Sequence, residues 1–291
     1  MRRRCLSPGW YPSTPERARQ SIELMLGDAR QGRPETHHGE HGAPDGQSDR
    51  GIAGIVPHAG WEFSGQVALE VLSSVARGFD TIDTTVIIGG HLGRGDGILC
   101  SFEESWETPL GPAVSDLDLL SEIRRSLEVS PDTEADNTVE VQLPFIRYLL
   151  PTARVLGMRA PPSLDSVRLG AAIAESADRL SRRVVVIGST DLTHYGVEYS
   201  FTPKGQGEEA VRWVRDVNDR RMVACLVAMD AGGALERAVR ERSACSIGGA
   251  LAAIGYAKAR GITAGRLLDY RTSYDVAPSD SFVGYAGVLY G

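Results

Sequence analysis

Outside one polar stretch the chain holds three histidines, and each follows an apolar, largely β-branched run. His58 follows "GIAGIVP", His91 follows "TTVIIGG" and His194 follows "RRVVVIGSTDLT". One histidine past a strand is an ordinary turn residue. Three out of three mark a common edge, because the carboxyl ends of strands in open α/β sheets line the ligand crevice. Neutral imidazoles gathered there are a metal-site pattern suited to Fe, Zn, Cu or Ni. Asp191, three residues before His194, reads as a direct ligand, as the carboxylate that fixes a histidine tautomer, or as an Asx turn. Cys245, in "SACSIGGALAAIGYAKA", falls just before or within the first turn of a small-residue helix. The amides and dipole of that turn favour thiolate, the form that binds metal or attacks electrophiles.

The other chemically capable residues carry a weaker signal. Cys225 in "MVACLVAM" and Cys100 after "GDGIL" read as small core hydrophobes. Glu140 in "DNTVEVQLPF" is a carboxylate among apolar residues, which either faces the crevice or lies on a solvated helix face. Tyr195 and Tyr274 are candidate proton donors or packing aromatics. No GxGxxG, Walker A or GxSxG element occurs, which argues against the usual nucleotide enzymes and α/β-hydrolases.

The elements that must position these residues alternate. A helix is expected from about Pro15 to Leu26, opened by Ser13, Thr14 and Glu16. A flexible loop is expected over about 28–50, because "GDARQGRPETHHGEHGAPDGQSDRG" has no apolar residue larger than alanine. Its His37, His38 and His41 read as solvated. Then follow a buried strand "GIAGIV", a helix opening at Ser64, the strand "TTVIIGG", and a helix with a capping box at Ser115 and Asp118. "TVEVQLPFIRYLL" is a helix interrupted near Pro144, "ARVLGMR" a strand, "SLDSVRLGAAIAESADRL" a helix and "RRVVVIG" a strand. Helices near 207–228, 230–241 and 246–260 lead to the closing strands "GRLLDYRTS" and "FVGYAGVLYG". This alternation predicts a single α/β domain spanning 1–291, with a mostly parallel or mixed sheet and helices on both faces.

The 291 residues carry a net charge of −7, which argues against a general nucleic-acid surface. No apolar run of 18 residues predicts a membrane span, and "MRRRCLSPGWYP" continues into Pro and Gly rather than a signal-peptide core. Four cysteines without CxxC or framework spacing fit a reduced, cytoplasmic protein.

"GIVPHAGWEFSG", "WETPLGP", "NTVEVQLPF", "GSTDLTHYG", "SACSIGGALAAI" and "LLDYRTSYDVAPSDSFVGYAG" occur in the order found in the Memo family, and "PGWYP" resembles that family's opening element. Bacterial members are also called AmmeMemoRadiSam system protein B. The resemblance covers the chain except the 28–50 stretch. It implies a fold similar to the class III extradiol dioxygenases and a metal held by His58, His91 and Cys245. It places His194 nearby, with Asp191 beside it, as the residues handling protons. The implied cofactor is Fe(II), with Cu or Zn as alternatives, and the implied activity is a non-haem oxidoreductase using O2 on a small phenolic or catecholic substrate. The alternatives are a non-enzymatic metal-binding redox or interaction protein, and a metal-assisted hydrolase. The expected partners are that substrate and O2, with neither nucleic acid nor membrane and with a homo-oligomer left open. Three positions depart from the family pattern: Leu92 in "GGHLG" and Asn137 in "DNTVE", where histidines are common, and Ser246 after the cysteine, where glycine is frequent.

Overall fold

The computed structural model describes residues 1–31 and 50–291, the side chains of 28–31 excepted. Its frame is a set of four parallel strands whose β-branched runs are buried on both faces. In chain order the strands are β1 (Ala53–Val56), β2 (Thr84–Gly89), β3 (Ile98–Cys100), β4 (Ser105–Trp106), β5 (Ala113–Val114), β6 (Val129–Pro131), β7 (Arg154–Arg159), β8 (Val184–Ser189), β9 (His194–Tyr195), β10 (Arg266–Thr272) and β11 (Phe282–Tyr290). They form one mixed sheet in the order β10-β11-β1-β8-β2-β7-β3-β6, with β9 paired to β11 and a separate β4–β5 ladder. The central β1, β8, β2 and β7 run parallel. The flanking β11 and β3 run antiparallel to them.

Side chains alternate across the sheet, as a period of two requires. Val86, Ile88 and Val186 join one core, whereas Ile87, Val185 and Ile187 join the other. The helices are α1 (Pro15–Gln31), α2 (Gln66–Ala76), α3 (Leu117–Ile123), α4 (Asn137–Glu140), α5 (Leu143–Leu149), α6 (Asp165–Arg179), α7 (Glu208–Trp213), α8 (Arg220–Val227), α9 (Ala231–Arg240) and α10 (Ile247–Ala259). The first core takes residues from α3, α6, α8, α9 and α10, and the second takes residues from α1, α2 and α5. The expected α/β architecture with both faces covered is therefore present.

Helix α10 lies against the sheet at glycine-sized gaps. A Cβ on Gly249 would meet the Ile88 carbonyl oxygen at 2.1 Å, and one on Gly248 would meet the Ala160 oxygen at 2.0 Å. The small-residue run thus lets the start of α10, with Cys245 just before it, come down onto the strand ends.

Several boundaries differ from the sequence expectation. Helix α1 continues to Gln31, so residues 28–31 are helix rather than loop. Gly27 weakens a helix without ending it, and no proline follows before Pro34. The rest of the expected loop, with His37, His38 and His41, lies outside the described residues. Helical turns begin at Trp61 rather than Ser64. The cap of α3 is Asp116, whose carboxylate accepts from Leu119 N, rather than Ser115. The 207–228 helix contains a wide π-type turn over Val214–Asp219. No described helix is long and apolar enough to cross a membrane.

Candidate metal centre

The strand register aligns the site. Val56 pairs with Ser189, and Ile88 with Gly188, which sets Val56, Ser189 and Gly89 in one row at the carboxyl edge. His58, Asp191 and His91 each stand two residues beyond that row. Cys245 arrives from the other side, and its amide donates to the Asp191 carbonyl at 3.2 Å.

His58 is fully buried, and its ring is held in one orientation. Ser189 Oγ donates to the Thr138 carbonyl at 2.7 Å, so it presents a lone pair to His58 Nδ1 at 3.2 Å. Nδ1 is then the protonated nitrogen, and Nε2 keeps its lone pair, 3.3 Å from Cys245 Sγ. Burial holds the His58 pKa below its usual value, with the nearby His91 acting in the same direction against Asp191.

His91 sits in left-handed backbone at φ 58°, after Gly89 and Gly90. Such a φ is uncommon outside glycine and carries strain of about 1–3 kcal/mol. It bends the chain so that the His91 ring meets His58 edge-on, with ring centres 5.0 Å apart. His91 Nδ1 lies 3.0 Å from Asp136 Oδ2, which again leaves Nε2 as the lone-pair nitrogen. Burial alone would raise the Asp136 pKa, but hydrogen bonds from His91 and Thr138 bring it down to about 2. One donor atom from each of His58, His91 and Cys245 lies within 4.8 Å of the others.

Asp191 is also buried. Its Oδ1 accepts the His58 amide at 2.7 Å, and its Oδ2 stands 3.8 Å from Nε2 of both His58 and His194. Burial would raise this carboxyl, but the two imidazoles and the His58 amide outweigh it and hold the pKa below the usual range. Asp191, His194 and Cys245 form a second donor group within 4.8 Å. Burial, reinforced by the charge of Asp191, pushes the Cys245 thiol well up. The helix start does not produce a standing thiolate here, contrary to expectation, and a cation is what would draw the proton off.

The chain matches the model of the Memo-like protein family over residues 2–289. It belongs to the Memo family. A MEMO1 family protein of Thermococcus onnurineus is 34% identical over 270 residues, covering 87% of this chain and 89% of its own length. One from Methanopyrus kandleri is 33% identical over 297 residues, covering 97% and 95%. A third, from Pyrococcus abyssi, is 34% identical over 260 residues, covering 84% and 88%.

Within this Memo chain, donor atoms of His58, His91, Cys245, His194 and Asp191 gather in two groups that share Cys245. The other candidates do not join them. Tyr195 is buried in packing and donates to the Gly205 carbonyl at 2.9 Å, and Tyr274 packs edge-on against Phe282. The tyrosines beside the site are Tyr199, edge-on to His194 at 4.8 Å, and Tyr285, whose hydroxyl burial and the charge of Asp191 hold protonated. Glu140 neither faces the crevice nor meets solvent: it receives Cys5 N, Leu6 N and Tyr11 OH at 2.8, 3.1 and 2.7 Å. Asn137 donates to the His58 carbonyl at 3.0 Å.

Two supporting residues escaped the sequence reading. Asp136 looks like a helix cap, which it also is, accepting from Thr138 N. Ser189 is hidden in a strand. Behind His194, fully buried Asp219 accepts from Thr193 N, Thr193 Oγ1 and Tyr270 OH, and burial pushes its carboxyl up to about 7.

Proposed function

We propose that this protein is a metal-dependent oxidoreductase, dioxygenase-like in fold, that holds Fe(II) between His58, His91 and Cys245 and acts with O2 on a small phenolic or catecholic substrate. The observation that carries the reading is the paired fixing of two imidazoles, each with Nδ1 engaged, around one thiol. The donor set fits such an ion. Two neutral nitrogens and one sulfur suit a borderline metal such as Fe(II), with Cu or Zn as competitors. The 3.3 Å between His58 Nε2 and Cys245 Sγ is close to the roughly 3.5 Å edge that bond lengths of about 2.0 and 2.3 Å give at a tetrahedral angle. When bound, the ion supplies Lewis acidity and one-electron redox chemistry.

The chain's own residues supply the rest. Cys245 would hold the ion as a thiolate, its proton passing to solvent on binding. His194, partly exposed and 3.8 Å from Asp191 Oδ2, takes the proton of a phenolic hydroxyl and returns it to product. Asp191 steadies the resulting imidazolium. Phe63, Tyr199 and Ala59, packed on Val67, Val283 and Tyr285, form an apolar wall against which a planar ring stacks. The reading places the protein in the cytoplasm with small-molecule partners.

Anaerobic reconstitution with Fe(II), followed by O2 uptake measured across catechols, aminophenols and thiols, tests this. Metal-dependent uptake that disappears in His194→Gln while the metal stays bound is the expected result. No metal-dependent uptake on any of them overturns the enzymatic reading.

A further inference from the structure

The pocket contains more donor atoms than one ion of this kind requires. Beyond His58, His91 and Cys245, it presents Asp191 and His194, and these two reach the same sulfur within 4.8 Å. We propose that Asp191, His194 and Cys245 form a second cation seat sharing the Cys245 sulfur, so that the protein takes up two divalent cations. The proposal rests on Cys245 being a ligand of the first seat.

Three observations support it. His194 Nε2 is buried and has no hydrogen-bond partner among the described residues. Buried polar atoms are nearly always paired, and a bare ring nitrogen is a missing ligand bond as readily as a missing hydrogen bond. Asp191 Oδ2 stands 3.8 Å away, too far to bond. Bonds of about 2.0–2.2 Å from nitrogen and oxygen to an ion give a ligand edge of roughly 3.4 Å. An approach of a few tenths of an ångström is all that a shared cation needs.

The carboxylate is also only half used. Asp191 Oδ1 is committed to the His58 amide at 2.7 Å, whereas Oδ2 looks toward two imidazoles, each 3.8 Å away. A carboxylate, an imidazole and a thiolate form a stronger anionic set than the two imidazoles and thiolate of the first seat. They must share that thiolate, however, so the two affinities separate on titration. An ion in the second seat takes the His194 lone pair, and the second equivalent therefore converts His194 from proton carrier to ligand.

The test is an anaerobic Co(II) titration of the metal-free full-length protein, read by the sulfur-to-cobalt absorption band and by metal analysis after gel filtration. It is run in a His37→Gln, His38→Gln, His41→Gln background so that those histidines contribute no donors. The expected result is two equivalents for this parent, one for the same chain with His194→Ala and one with His91→Ala, each retaining the sulfur band. His194→Ala removes no hydrogen bond made by Nε2, and a thermal melt checks its fold. The parent stoichiometry decides even if a variant fails to fold. One equivalent in the parent overturns the second seat, whether or not His194→Ala abolishes it. If His91→Ala alone abolishes that single equivalent, the first seat survives. Two equivalents unchanged by His194→Ala also overturn the second seat. No Co(II) bound with a sulfur band overturns both seats.

Discussion

Two buried carboxylates sit at opposite edges of the same sheet and have opposite fates. Asp116, near the amino end of β2, is fully buried and fully engaged: Thr84 Oγ1, Leu119 N at 3.0 Å and the Arg182 guanidinium all donate to it. Asp191, past the carboxyl end of β8, has one oxygen engaged and the other facing imidazoles at 3.8 Å. Burial of a charge is tolerated in both cases, at Asp116 by three bonded donors and at Asp191 by one amide and two imidazoles beyond bonding distance. One edge ties its carboxylate fully into the fold, and the other leaves one carboxylate oxygen facing two imidazoles.

Removing the shared ligand should break this contrast most sharply. Cys245→Ala is expected to weaken metal binding by more than about 100-fold, since the loss of a mere supporting partner costs about 10–100-fold. Competition titration against a chelator measures it, and undiminished affinity would refute the ligand assignment. At the other edge, Asp116→Ala should lower unfolding stability by about 2–4 kcal/mol, through loss of a helix cap and of the Arg182 pair, with metal affinity unchanged. Urea denaturation checks the first part. Equal losses of stability in Asp116→Ala and Asp191→Asn would erase the distinction between the edges. Asp136→Asn should loosen metal about 10–100-fold by slackening His91, with little change in thermal stability at neutral pH.

The smallest effect concerns Asp219, a third buried carboxylate that supports the turn carrying His194. Its folded pKa of about 7 lies above the ordinary 3.8. The folded chain thus keeps a proton that the unfolded chain has released. Its contribution to stability is largest below about pH 4, falls as pH rises towards 7 and is flat above it. Asp219→Asn should therefore leave stability at pH 4 nearly unchanged. At pH 8 it should raise stability by on the order of 1 kcal/mol, because part of the gain is offset by weaker bonds from Thr193 and Tyr270. Denaturation curves at the two pH values read this directly; a loss at pH 8 would show that the charged form is favoured after all.

How much of this was legible in the sequence depends on the range of the interaction. The strand-end histidines were, because β-branched runs announce buried parallel strands and the register brings their ends level. Cys245 was, through its place at a helix start and the Memo resemblance, whereas the close approach of α10 to the strand ends came from the fold. The short outer strands β3 and β6, of three residues each, left no periodic signal. Asp136 and Ser189 serve as second partners to ligands far away in the chain, and nothing local distinguishes them from a cap and a core residue. The protonation of the thiol was misjudged for a related reason: the helix start is a local feature, whereas burial and the charge of Asp191 come from the assembled fold.

Glu140 sets an order on the life of the chain. The opening segment is fastened to it through Cys5, Leu6 and Tyr11, residues 129–135 positions away. On a ribosome those first residues emerge early and have nowhere to dock until nearly half the protein has been made. The His58–Cys245 pair closes later still, across 187 positions. The five clustered side chains are therefore together only once Cys245 and α10 arrive, and β10 and β11 still follow to complete the sheet.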